Sequence, residues 1–110
     1  MNVKVLRASR WDHVGVFPTF AKGTPVVMDE KEDDEFLGWH ACEILGHTPY
    51  VPRAFVADGV LTRDYNPTEL IQVIGDMLTV HEIVGAWLLA TDSAGVTGWI
   101  PAECVISLDA

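Results

Sequence analysis

The chain has 110 residues, 49% of them hydrophobic, and its 16 acidic against 7 basic side chains give a net charge of −9 at neutral pH. This length fits one ordinary domain or two very small ones, and halves of about 50–60 residues would be marginally stable unless they shared an interface. No run approaches the roughly 20 apolar residues needed to cross a bilayer, and charges interrupt the N-terminal stretch MNVKVLRASRW where a signal peptide is apolar, so we expect a cytoplasmic protein.

The first half is predicted to consist of short strands joined by turns. Residues 3–6 alternate polar and apolar side chains as a strand does. Residues 11–20 contain Gly15 and Pro18 and have no helical period, so they are predicted to form an irregular or hairpin-like loop. Residues 29–35 (DEKEDDE) are predicted to form an acidic loop with six carboxylates. The predicted strands are residues 3–6, 24–28, 36–45 and 50–51, with a tight turn at Gly46 and a single turn over residues 52–56.

The second half follows a short junction at residues 57–59. Residues 69–84 are apolar enough to suggest a helix, but Gly75 and the β-branched side chains argue against one. A hairpin is predicted near the C-terminus, with a tight turn at residues 92–95 and a strand that ends at Pro101 because proline has no N–H to donate. The predicted strands are residues 61–65, 77–80, 87–91 and the segment through Trp99 and Ile100, with a loop over residues 81–86.

One segment occurs twice. Residues 46–56 (GHTPYVPRAFV) match residues 95–105 (GVTGWIPAECV), with Gly, Thr, an aromatic, a β-branched residue, Pro and Val at the same offsets. A tryptophan precedes each copy, Trp39 by seven residues and Trp87 by eight. We therefore interpret the chain as a tandem repeat of one small β module, with domains at residues 1–57 and 58–110.

Five pieces of the second repeat resemble the SH3 domain pattern ALYDY, EL, GDxLxV, WWxA and GxIPxNYV in order and spacing. They are residues 61–65 (LTRDY), 69–70 (EL), 75–80 (GDMLTV), 87–90 (WLLA) and 98–105 (GWIPAECV). The first half is similar to a more diverged copy through residues 23–26, 39–42 and 50–56. The resemblance implies an all-β chain of two tandem, five-stranded SH3-like barrels that pack against each other.

The SH3 family binds peptides and is not catalytic, so the resemblance implies a non-enzymatic module for protein or extended-peptide binding. Its members hold proline-rich helices in a groove lined by aromatic side chains. In this chain Arg63 and Cys104 stand where the family has groove tyrosines. The candidate binding residues are Trp39, Tyr50, Pro52 and Phe55 for one groove, and Tyr65, Trp87, Trp99 and Pro101 for the other.

The charge distribution narrows the class of partner. Residues 1–57 carry a net charge of −2 and residues 58–110 a net charge of −7, with Arg63 as the single basic side chain of the second half. Such a surface disfavours nucleic acids and anionic membranes and favours a basic protein or peptide. Two alternatives stay open: a structural or regulatory subunit whose aromatic faces are buried in a homodimer or larger complex, and a small-molecule or metal sensor.

Metal binding and catalysis are both disfavoured by the motifs. His40, Cys42 and His47 lack the paired spacing of a structural zinc site, which needs four ligands. Cys104 and His81 show no nucleophile-and-base arrangement in the sequence. Because no export signal is evident, the two cysteines are expected to be reduced, and no cofactor is predicted.

Overall fold

A computed structural model describes residues 1–7, 16–32 and 37–108, with the backbone alone at Glu32. Within them the chain is all-β, without a helix of seven or more residues. Two 3₁₀ helices cover Arg53–Phe55 and Ala102–Cys104. The strands are β1 Asn2–Val5, β2 Val27–Glu32, β3 Trp39–Glu43, β4 Tyr50–Pro52, β5 Val56–Ala57, β6 Val60–Leu61, β7 Met77–Val84, β8 Trp87–Thr91, β9 Thr97–Pro101 and β10 Val105–Ser107.

The chain divides into two compact units. Unit 1 combines Met1–Val16 with Thr68–Ala110, and unit 2 is the continuous segment Phe17–Pro67. This division differs from the predicted domains 1–57 and 58–110, because the N-terminal strand belongs with the C-terminal part of the chain and residues 58–67 belong with the preceding part.

Unit 1 contains a five-stranded sheet in the order β10-β1-β7-β8-β9. Strand β1 pairs antiparallel with both β10 and β7. Its alternating pattern explains its position, since Val3 and Val5 are buried while Asn2 and Lys4 face solvent. The buried valines join a core made of Leu70, Leu78, Val80, Leu88, Ala90, Ile100 and Cys104.

Unit 2 contains a three-stranded sheet in the order β2-β3-β4 and the two-stranded pair β5-β6. Isolated bridges join Phe20 to Tyr65 and Pro25 to Val60. None of the sheets formed by the described residues closes into a barrel.

The predicted junction at residues 57–59 is a hairpin turn inside unit 2. Asp58 and Gly59 both have positive φ, at 53° and 75°, which is the requirement of a two-residue type I′ turn. The turn brings β6 back against β5, with Val56 opposite Leu61. Residues 60–65 are therefore held beside the preceding part of the chain.

Both copies of the repeated segment adopt the same local structure. In each copy a strand ends at a proline, Pro52 or Pro101, and a 3₁₀ helix follows directly. The φ of both prolines is near −65°, the value that the proline ring imposes. The preceding tryptophan lies opposite that proline in both units, as the pairs Trp39–Pro52 and Trp87–Pro101.

Two predicted loops contain strand. The acidic segment begins as strand, since β2 continues through residues 29–32 after a register shift between Met28 and Glu32. Strand β7 similarly continues to Val84, with an irregularity between Val80 and Glu82. Bulges of this kind let a strand continue past a break in its alternation. Residues 33–35, and residues 11–15 of the predicted first loop, lie outside the described residues.

Candidate functional site

Seven of the eight residues predicted to line binding grooves are buried. They are Trp39, Pro52, Phe55, Tyr65, Trp87, Trp99 and Pro101. The exception is Tyr50, which keeps 49% of its surface exposed. An aromatic platform for a peptide has to be reachable from solvent, and within the predicted set Tyr50 meets that condition.

The aromatic residues of unit 2 form an internal cluster. The rings of Phe55 and Tyr65 meet edge to face, with centroids 5.5 Å apart. The Tyr65 hydroxyl donates a hydrogen bond to the backbone carbonyl of Tyr50 at 2.6 Å, and the Arg63 guanidinium lies 4.3 Å from the centre of the Phe55 ring. Edge-to-face and cation–π contacts of this kind favour a fixed arrangement of the rings.

This grouping differs from the predicted one. Tyr65 was expected in a groove with Trp87, Trp99 and Pro101, but it contacts Phe55 and Tyr50 instead. The cause is the hairpin turn at Asp58-Gly59, which keeps residues 60–65 within unit 2.

In unit 1 a short strap, Thr68–Leu70, pairs with β9 at Trp99. The Trp99 amide donates to the Thr68 carbonyl at 3.0 Å, and the Leu70 amide donates to the Trp99 carbonyl at 2.8 Å. Gly98 lies beneath this strap, so close that a Cβ there would come within 2.9 Å of the Thr68 carbonyl oxygen. Burial in the strap raises the pKa of the Glu69 carboxyl to about 7.

His40 is the fully buried polar side chain at the centre of unit 2. Leu88 is the equivalent residue of unit 1. His40 lies opposite Val51 and Leu88 lies opposite Ile100, and each of these partners directly precedes the strand-ending proline. The ring Nδ1 lies 2.8 Å from the Asp29 carbonyl oxygen; because a carbonyl only accepts, Nδ1 carries the hydrogen. The Nε2 atom is buried and has no hydrogen-bond partner among the described residues.

Replacing His40 with leucine should stabilise the fold. The substitution removes the unpartnered Nε2, and the Asp29 carbonyl, on an exposed residue, can bind water instead. We expect the free energy of unfolding to rise by about 1 kcal/mol in urea denaturation. The reciprocal variant Leu88→His is the control and should destabilise the chain; a His40→Leu chain less stable than wild type would show that His40 contributes more to packing than its orphaned nitrogen costs.

Both cysteines are free and buried, and the Cys42 thiol does not resemble a nucleophile. Burial raises the pKa of the Cys42 thiol to about 11, and its Sγ donates to the Pro49 carbonyl at 3.4 Å, so it stays protonated at neutral pH. Cys104 Sγ lies 4.0 Å from the Gln72 side-chain oxygen. Across residues 1–7, 16–32 and 37–108, no group of three or more His, Cys, Asp or Glu side chains is placed to hold a metal ion.

An exposed, mostly apolar surface lies on the outside of the β2-β3-β4 sheet. In the strand pairing Val27 is opposite Glu43, and Ala41 is opposite Tyr50. All four side chains are exposed, as is Leu45 in the turn that joins β3 to β4. We call this set, Val27, Ala41, Glu43, Leu45 and Tyr50, the outer face.

Tyr50 is the one member of the outer face that was predicted from the sequence as a binding residue. The available signal was the dipeptide Leu45-Gly46, which puts a large apolar residue where a two-residue hairpin turn favours Asn, Asp or Gly. His40 was considered for metal binding, and its placement in the core depends on strand pairing that its own neighbours do not reveal.

None of the helices in the described part of the chain is long and apolar enough to span a membrane. Comparisons with protein-family models, with curated proteins and with solved structures found no match to this chain.

Proposed function

We propose that this chain is a non-enzymatic protein-interaction subunit that uses its aromatic residues for internal packing and binds partners through other surfaces. The observation that carries the proposal is the burial of seven of the eight candidate groove residues. Side chains that are already packed cannot stack on an extended peptide without first being uncovered, and uncovering them costs the hydrophobic free energy of their burial.

We further propose that both units are SH3-like. The support is the resemblance of residues 61–105 to the SH3 pattern, together with the strand, proline and 3₁₀ helix shared by Pro52 and Pro101. In this proposal the LTRDY segment completes unit 2 beside Phe55, while β1 takes the first-strand place in unit 1. Along the chain, unit 2 is thus inserted between the two segments of unit 1.

The test uses a Trp11→Phe chain, so that the fluorescence comes from Trp39, Trp87 and Trp99. Size is measured by light scattering and acrylamide quenching of this fluorescence on the same sample, and proline-rich peptides are then titrated. We expect protected tryptophans in a monomer and no response to the peptides. Readily quenched tryptophans, with fluorescence that shifts when a proline-rich peptide is added, would refute internal packing and restore the peptide groove.

A peptide groove in unit 2 is the second candidate function. Its support is the contact of Phe55 with both Tyr65 and Arg63, beside the half-exposed Tyr50. It requires the cluster to open, so Tyr65→Phe, which loses the 2.6 Å bond to the Tyr50 carbonyl, should strengthen peptide binding if this groove is the one used.

A further inference from the structure

Two tight turns of unit 2 have the same pattern of positive φ values but different residues. Asp58 and Gly59 have φ values of 53° and 75°, and Leu45 and Gly46 have φ values of 48° and 82°. Aspartate tolerates the left-handed region because its short side chain bonds locally, whereas leucine has no such compensation. Leu45 is therefore in a conformation that disfavours it.

The side chain of Leu45 also contributes little to the stability of the fold. It is 70% exposed, so it gains little from burial in return for the unfavourable backbone. Strained residues that the fold does not require are found preferentially where they take part in binding. The turn places Leu45 at the end of the outer face, beyond Glu43 on β3.

The other members of the outer face extend the apolar surface from Leu45 across the sheet. Val27 is 70% exposed and Tyr50 49% exposed, and they flank β3 through their pairing with Glu43 and Ala41. Glu43 is the single charged member of the set. The adjoining strand β2 adds exposed Asp29 and Glu30 beside one exposed base, Lys31, so the surroundings of this apolar surface carry a net negative charge.

Unit 1 offers an internal comparison. The position equivalent to Tyr50 is Trp99, because each lies two residues before the proline that pairs with a tryptophan. Trp99 is 3% exposed, and the strap Thr68–Leu70 is hydrogen-bonded to it. Among the described residues no such strap pairs with Tyr50, so the same position is covered in one unit and open in the other.

We propose that the outer face is a docking surface for a basic protein segment that combines apolar side chains with a lysine or arginine opposite Glu43. This inference rests on the proposed function and names its surface and partner. The charge argues against a second copy as the occupant, since each copy carries a net charge of −9 and a two-fold contact would bring the acidic surroundings of Glu43 together. A basic segment is attracted by the same field.

The experiment selects peptides from a random 12-residue phage library on the full-length chain and measures their affinity by fluorescence anisotropy. We expect the selected peptides to be rich in Lys or Arg and in apolar residues. Leu45→Asn should weaken their binding at least tenfold while raising Tm by about 4 °C, because asparagine suits the turn. Glu43→Gln should weaken binding about threefold and make it less sensitive to salt.

Leu37→Asn is the matched control, since Leu37 is an exposed leucine of the same unit, located before β3 rather than after it. It should leave affinity unchanged. The inference is overturned if no peptide is selected, if the selected peptides are acidic or neutral, or if Leu45→Asn binds within twofold of wild type. A dimer that Leu45→Asn converts to a monomer would make a second copy the occupant and would also overturn it.

Tryptophan quenching by acrylamide tests the proposed function separately, since it does not depend on the outer face.

Discussion

Gly98→Ala is expected to lower the free energy of unfolding by about 1–3 kcal/mol. The added Cβ would lie 2.9 Å from the Thr68 carbonyl oxygen, 3.1 Å from the Leu70 nitrogen and 3.2 Å from Leu70 Cγ. Two of these atoms belong to backbone that is hydrogen-bonded to Trp99, so relief of the contact requires the strap to move away from β9. Urea denaturation measures the loss, and faster hydrogen exchange at the Leu70 amide would locate it.

Ala94→Ser is a suitable control, because it adds one heavy atom at an exposed position of the same hairpin and should change stability by less than about 0.5 kcal/mol. Alanine in place of glycine also restricts the unfolded chain, which favours folding by about 0.4–1 kcal/mol. A Gly98→Ala chain as stable as wild type would mean that the contact with the strap costs no more than this gain, which would contradict the expected loss and the close packing of the strap on β9.

Glu69→Gln is expected to stabilise the chain in a pH-dependent way. The pKa of this carboxyl is about 7 in the folded chain against an ordinary value of 4.5, so the folded state keeps a proton that the unfolded state has lost. The contribution of Glu69 to the free energy of unfolding is fully present below pH 4.5. It falls as the pH rises from 4.5 to about 7 and is lost above that. Glutamine cannot ionise, so the variant avoids that loss.

The size of the effect follows from the shift. A change from 4.5 to about 7 corresponds to about 3.4 kcal/mol, which solvent screening of a partly exposed side chain reduces to about 1–2 kcal/mol. We expect no advantage of Glu69→Gln at pH 4.5 and the full advantage at pH 8, measured by urea denaturation. Glu103→Gln, at an exposed site of the same unit, controls for the loss of one negative charge; an advantage of Glu69→Gln that is equal at both pH values would contradict the explanation by burial.

The candidate site was only partly predictable. Trp39 and Trp87 occupy corresponding places in the strand pairing, each opposite a strand-ending proline, and both were singled out in the sequence because each precedes one copy of the repeated segment. Their exposure was not predictable, because accessibility depends on what packs over a residue and not on its neighbours in sequence. Leu45 shows the opposite case: its turn was expected from Gly46, but the meaning of an apolar residue there emerges only when its φ of 48° and its exposure are known.

The features that depend on a few adjacent residues were predictable from the sequence. Alternation made β1 a strand with Val3 and Val5 on its buried side, Pro52 and Pro101 each preceded a 3₁₀ helix, and the acidic composition set the sign of the charge. Two features were visible only in the folded chain: β1 lies between β10 and β7, and Tyr65 contacts Phe55 within unit 2. The backbone of a strand can pair with any other strand of suitable register, so local sequence does not select its partner. Long-range packing selects it, together with turns such as Asp58-Gly59 that restrict which strands can lie side by side.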